Sequence, residues 1–129
     1  MQPVVFIGSS RSDLLALPIE VKREVGFVLH LAQAGDNYLH AKPLQGFGGA
    51  AVLEVVARHD GDTFRAIYTV KLSEAVFVLH RFKKKSKSGI ATATKDLDLI
   101  RSRPRTAEAE NARLRQHRLK EDADGKSSA

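Results

Sequence analysis

Apolar residues in this chain follow two rhythms. In the first third, Val21, Val25, Val28, Leu29 and Ala32 recur at helical spacing, with Glu20, Lys22, Arg23, Glu24 and Gln33 on the other faces. The pattern predicts an amphipathic helix from about Leu17 to Ala34. Pro18 suits its first position, where a missing N–H would be unpaired anyway, and Gly35 supplies its stop. Upstream, Pro3-Val4-Val5-Phe6-Ile7 is a β-branched run closed by Gly8-Ser9-Ser10, expected to be a first strand near the interior of a sheet. Asp13 fits the cap of a short helical turn. Downstream the rhythm shortens to Val52–Arg58, Phe64–Val70 and Ala75–Phe82, separated by Asp60-Gly61-Asp62 and by Lys71-Leu72-Ser73-Glu74. These polar breaks are hairpin signals, so the three runs should form an antiparallel meander with one face against the long helix.

Two connections complete the outline. Lys42-Pro43-Leu44-Gln45-Gly46-Phe47-Gly48-Gly49 is glycine-rich but lacks the Gly-Lys-Ser/Thr of a nucleotide-binding loop, and it reads as a flexible link. Thr92 and Thr94 can cap a short helix over Lys95–Arg103, with Leu97, Leu99 and Ile100 inward and Pro104 as its stop. Residues 104–129 are rich in Ala, Arg, Glu and Lys, with Leu114 and Leu119 the only large aliphatics, as expected of a frayed helix with a disordered end. The expected architecture is α+β: a small antiparallel meander sheet packed against N-terminal helices, with a short C-terminal helix, in a domain of residues 1–103, followed by a charged, partly helical or disordered tail of residues 104–129.

Composition narrows the classes. The 129 residues, 43% of them hydrophobic, suffice for one compact domain with a core of its own. With 21 Lys+Arg against 15 Asp+Glu, the formal charge is +6, which favours a polyanionic partner. Cysteine is absent, which excludes a disulfide framework and a thiolate nucleophile. A metal would have to use His and carboxylates, and no pair has spacing such as H-E-x-x-H; neither a metal nor a cofactor is expected. No apolar stretch approaches the roughly 18 residues of a membrane span, and the N-terminus has no basic segment followed by an apolar core, so a cytoplasmic location is expected.

The charge is concentrated where the last strand ends, in Val76-Phe77-Val78-Leu79-His80-Arg81-Phe82-Lys83-Lys84-Lys85-Ser86-Lys87-Ser88-Gly89. Strict alternation would put Phe77, Leu79, Arg81 and Lys83 on one face and Val76, Val78, His80, Phe82 and Lys84 on the other. Arg65 lies in the neighbouring strand between Phe64 and Ala66, a position where a cation needs an anion or open water, and Arg58 ends the strand before it. Cations converging on one phosphate could stabilise a phosphorane-like transition state; a solvated cationic strand end that keeps an edge soluble fits the same residues. His80 and His59 are the histidines nearest this rim. His80, beside Val76 and Val78, reads more readily as a packed ring satisfied by backbone than as an acid or base. Tyr68 offers a phenol, or a core side chain between Ile67 and Thr69.

Several of these segments resemble the RelE/ParE superfamily of bacterial toxins, in its HigB-like, phage-derived branch. The resemblance covers most of residues 3–103 and rests on Lys42-Pro43-Leu44, Leu53-Glu54-Val55, Gly61-Asp62-Thr63-Phe64-Arg65-Ala66-Ile67-Tyr68 and, above all, Val78-Leu79-His80-Arg81-Phe82-Lys83-Lys84-Lys85-Ser86. It implies a messenger-RNA endonuclease of a type II toxin–antitoxin system that acts on translated messages by attack of the RNA 2′-hydroxyl on the adjacent phosphate, without a metal. The family's basic strand positions would then fall on Arg65, Lys83 and Lys84 as catalytic residues, with Lys42, Arg58, His80, Arg81, Lys85 and Lys87 as RNA contacts. The implied partners are a helix-turn-helix antitoxin, messenger RNA and the ribosome, and operator DNA for the toxin–antitoxin complex. The chain departs from the pattern in two places. Glu54-Val55-Val56 stands where many relatives have Glu-Leu-Arg, and the last helix lacks the tyrosine that some relatives use as a catalytic phenol. The ParE branch, which poisons DNA gyrase without cutting RNA, is the competing reading, and an inactive relative that only binds RNA is a third.

Overall fold

A computed structural model of the chain describes residues 1–36, 38, 40–44, 52–84 and 94–127. In chain order the elements are β1 (Val4–Phe6), α1 (Ser10–Leu15), α2 (Ile19–Gln33), β2 (Lys42–Pro43), β3 (Val52–His59), β4 (Asp62–Thr69), β5 (Val76–Lys84) and α3 (Thr94–Ser127). The five strands form one sheet in the order β1-β5-β4-β3-β2. The predicted meander is β3-β4-β5, antiparallel throughout, with Asp60 and Gly61 at positive φ in the β3–β4 turn. Two short strands extend it. Lys42–Pro43 pairs antiparallel with β3, and β1 runs parallel to β5. The first strand therefore lies at a sheet edge, not in the interior, because the run that is dry on both sides is β5: Val76, Phe77, Val78 and Leu79 are 0% exposed.

Each face of the sheet carries its own apolar layer. The five predicted inward positions of α2, Val21, Val25, Val28, Leu29 and Ala32, are all buried and meet Val55, Ala57, Phe64, Ala66, Tyr68, Val76 and Val78. Pro18 stands one position outside this helix as its N-cap. In α1, Ser9 is the N-cap and Asp13 is helical, accepting a hydrogen bond from the Ser9 hydroxyl at 2.9 Å. The opposite layer joins Ile7, Val52, Ile67, Phe77, Leu79 and Phe82 to Ile100 and Ala107 of α3, with Leu114 packed against it.

The C-terminal helix departs most from expectation. It is one α-helix of 34 residues that passes through Pro104. A proline inside a helix forfeits one backbone hydrogen bond, and tertiary contacts offset that loss here. Pro104 is itself buried, between the buried Ile100 and Ala107. Farther along, the Asn111 side-chain carbonyl accepts from the Glu74 backbone N–H at 2.8 Å, and Arg118 Nε bonds the Glu74 carboxylate at 2.6 Å. Hydrogen bonds from Arg118 and then Ser73 hold the Glu74 carboxyl below its usual range. The residues predicted to fray are thus tied to the β4–β5 turn. No helix among the described residues is long and apolar enough to cross a membrane.

Tyr68 offers a test of the α2-side core. Burial, followed by the neighbouring Tyr38, pushes its phenol up to about 12. Below pH 10 the ring is neutral whether the chain is folded or unfolded. Between pH 10 and 12 only the unfolded chain ionises it, so folding stability should fall over that window by about 3 kcal/mol. Urea unfolding of Tyr68→Phe beside the wild type should show a shallower alkaline loss in the variant.

Candidate functional site

Strand register brings the sequence-predicted residues together, though not in the grouping that alternation suggests. Tyr68 pairs with Val78 but Ile67 pairs with His80, so Leu79 is an extra residue, a β-bulge in β5. Past the bulge the facing reverses. Arg81 and Lys83, opposite Ala66 and Phe64, belong to the α1–α2 side with Val76 and Val78, while His80 and Phe82 join Phe77 and Leu79 on the α3 side. The α3 side then reads as three parallel rows: Lys42, Glu54, Ile67, His80; next Val56, Arg65, Phe82; last Arg58 and Thr63, where Lys84 pairs with Thr63 in register. Arg58 and Lys42 are exposed, and Arg65 and Val56 are half-buried.

One cation holds the bulge. Arg103 Nη1 donates to the Leu79 carbonyl at 2.8 Å and to His80 Nδ1 at 3.0 Å. A guanidinium has no acceptor, so Nδ1 must accept, and Nε2 carries the hydrogen that is donated to Asp96 Oδ1 at 2.7 Å. His80 is therefore a neutral ring between a cation and a carboxylate, 5% exposed and stacked on Phe82 at 5.6 Å. Both of its nitrogens are engaged. It joins β5 to the first turn of α3, packed as expected but satisfied by two side chains and not by backbone, and it offers no free nitrogen to RNA in this conformation.

Arg81 is likewise engaged, its guanidinium donating from Nε at 2.8 Å and from Nη2 to the Asp13 carbonyl, one of the unpaired carbonyls at the end of α1. Lys83, about half exposed, lies 3.0 Å from Asp62. His59 sits beside Asp60 and Glu20, at 3.3 and 3.8 Å. Tyr68 is a core residue on the α2 side. Lys85, Lys87 and Thr92 lie outside the described residues, as does the glycine-rich stretch from Gln45 onward.

Arg65 has the partner that its strand position demands. Its Nη1 donates to both Glu54 oxygens, at 3.1 and 3.0 Å. Its Nε is buried and has no acceptor among the described residues. Sequence reasoning missed three members of this neighbourhood: Glu54, Asp96 and Arg103. The signals were weak but present. Glu54 is a lone carboxylate in an apolar strand, and Asp96, Ile100 and Arg103 share one helical stripe. Among the described residues no group of three His, Asp or Glu is placed to hold a metal ion.

Gly8 reports on the Arg103 clamp. It sits at φ +58°, and a Cβ there would fall 2.7 Å from Arg103 Nη2. Arg103→Ala should cost about 1–3 kcal/mol by leaving the bulge carbonyl and His80 without a donor. Gly8→Ala should cost at least the roughly 1–2 kcal/mol of left-handed backbone strain, plus the displaced guanidinium. In an urea-unfolding double-mutant cycle, Gly8→Ala should be cheaper in the Arg103→Ala background, because only the backbone part remains.

A family model described as "Phage derived protein Gp49-like (DUF891)" matches residues 12–105, most of the chain, including all of α2, the four strands that carry the three rows and the first part of α3. No match was found among curated proteins or solved structures.

Proposed function

We propose a function from two premises: the chain belongs to the phage-derived Gp49-like family, and its sheet gathers Lys42, Arg58 and Arg65 on one face. The protein is a HigB-like toxin of a type II toxin–antitoxin system, an endoribonuclease that cuts translated messenger RNA by attack of the 2′-hydroxyl on the neighbouring phosphate. The observation that carries this reading is the row arrangement on the α3 side. An RNA backbone laid across it would meet Lys42 and Arg58 at exposed positions and Arg65 between them, beside the end of β5 at Lys84. Such cations supply affinity through counterion release and, at the scissile phosphate, offset the charge that builds in the transition state.

In this reading Arg65 is the catalytic cation, with Arg58, Lys42 and Lys84 as phosphate contacts. Lys83, on the other side of the strand and paired with Asp62, contributes to the rim's field more than to the reacting phosphate. Lys85 and Lys87 extend the basic run along the chain. A helix-turn-helix antitoxin silences the protein and binds operator DNA with it.

Induced expression of the chain alone should arrest growth and create new transcript 5′ ends within coding regions. An Arg58→Ala/Arg65→Ala variant should lose both effects, whereas Lys83→Ala should retain most of the cleavage. Growth arrest without new ends would replace this reading with gyrase inhibition. The absence of both effects would leave a relative that only binds RNA, recognisable by a steep salt dependence without products.

A further inference from the structure

The strands place a single described carboxylate on the cationic face, Glu54. Its side chain is 12% exposed and that of Arg65 is 23%. A partly dry ion pair of this kind adds little net stability unless its geometry is complete. Here it is incomplete. Both carboxylate oxygens are served by one nitrogen, Arg65 Nη1, instead of the two-nitrogen fork that makes such pairs strong. Each oxygen keeps a spare lone pair. Among the described residues, Arg65 Nη2 and Nε make no hydrogen bond, and Nε is buried.

The pair thus sets a carboxylate with free acceptor capacity beside a guanidinium with free donors. That combination complements a hydroxyl next to an anionic oxygen, and in RNA the 2′-hydroxyl lies next to the 3′-phosphate in that way. Resting on the nuclease reading above, we propose that Glu54 is the general base of the cleavage step and that Arg65 both orients it and receives the phosphate. The Glu54 carboxylate takes the 2′-hydroxyl proton, and the freed oxygen pair forms a bond to the adjacent phosphorus. The bond from phosphorus to the 5′-oxygen breaks, and that oxygen leaves with its electron pair and takes a proton from water. The products are a 2′,3′-cyclic phosphate and a 5′-hydroxyl. Glu54 then returns its proton to solvent. The charged groups facing it are Arg65 from β4 and Lys42 from β2, with Arg58 farther along its own strand; the titratable ring of His80 lies in the same row beyond Ile67.

The deciding experiment compares Glu54→Gln with wild type on ribosomes programmed with a defined message, measuring single-turnover cleavage from acid to neutral pH and affinity separately. Glu54→Gln preserves the side-chain shape and one acceptor for Arg65. The expected result is a cleavage rate lower by ~10²–10⁴-fold, disappearance of the fall in rate toward acid, and affinity unchanged or tighter. A variant that cuts at the wild-type rate, keeps the wild-type pH dependence, or loses affinity in step with rate would overturn the assignment and leave Glu54 as a structural partner of Arg65. Should Glu54→Gln fail to fold, Glu54→Asp decides: a slower rate that keeps the acid fall supports the base, and an unchanged rate overturns it. A wild-type chain that cuts no message would remove the nuclease reading and Glu54's role with it, so the two failures are told apart.

Discussion

The arrangement of this protein depends on how Arg103 holds the β-bulge at Leu79. A bulge leaves a carbonyl out of the ladder, and in a strand buried on both faces that carbonyl needs a donor. Arg103 supplies it from α3 and shares the same nitrogen with His80. Asp96 closes the other side of the imidazole. One guanidinium therefore satisfies the irregular backbone, fixes the ring's tautomer and fastens the start of α3 to the strand end. Gly8 leaves room for it, since any larger residue there would meet the guanidinium.

The bulge decides which cations can act together. Without it, His80 and Phe82 would face α1 and α2, and Arg81 and Lys83 would turn toward α3. With it, Phe82 completes the row of Val56 and Arg65, while Arg81 is free to bond the end of α1. The described part of a basic cluster that is continuous in sequence is thus split between the faces, Arg81 and Lys83 on the α1–α2 side and His80 on the side of Lys42, Arg58 and Arg65. The Glu54–Arg65 pair sits at the middle of that face, in partly dry surroundings where charge interactions are stronger than in water.

The long helix illustrates a balance that local propensity misjudges. Pro104 costs one hydrogen bond, yet its ring is buried between Ile100 and Ala107, and Asn111 and Arg118 bind Glu74 beyond it. The contacts to Glu74 lie beyond the proline's own turn. Past Arg118 the apolar stripe ends, and Leu119 is 45% exposed.

Much was legible in the residues themselves because periodicity is a local property. The apolar stripe of α2, the three strands of the meander and the turn at Asp60-Gly61 all follow from neighbours within a few positions. Arg65's need for an anion was legible in the same way, though not that Glu54 would meet it. The tertiary structure alone decided the edge position of β1, the reversal of facing at Leu79, the engagement of His80 and Arg81, and the passage of α3 through Pro104. Each depends on a partner distant in the chain: Val78 for β1, Arg103 for the bulge, Asp13 for Arg81, Glu74 for the end of α3. A one-residue bulge leaves almost no trace in a hydrophobic pattern, yet it turns every later side chain of its strand to the opposite face.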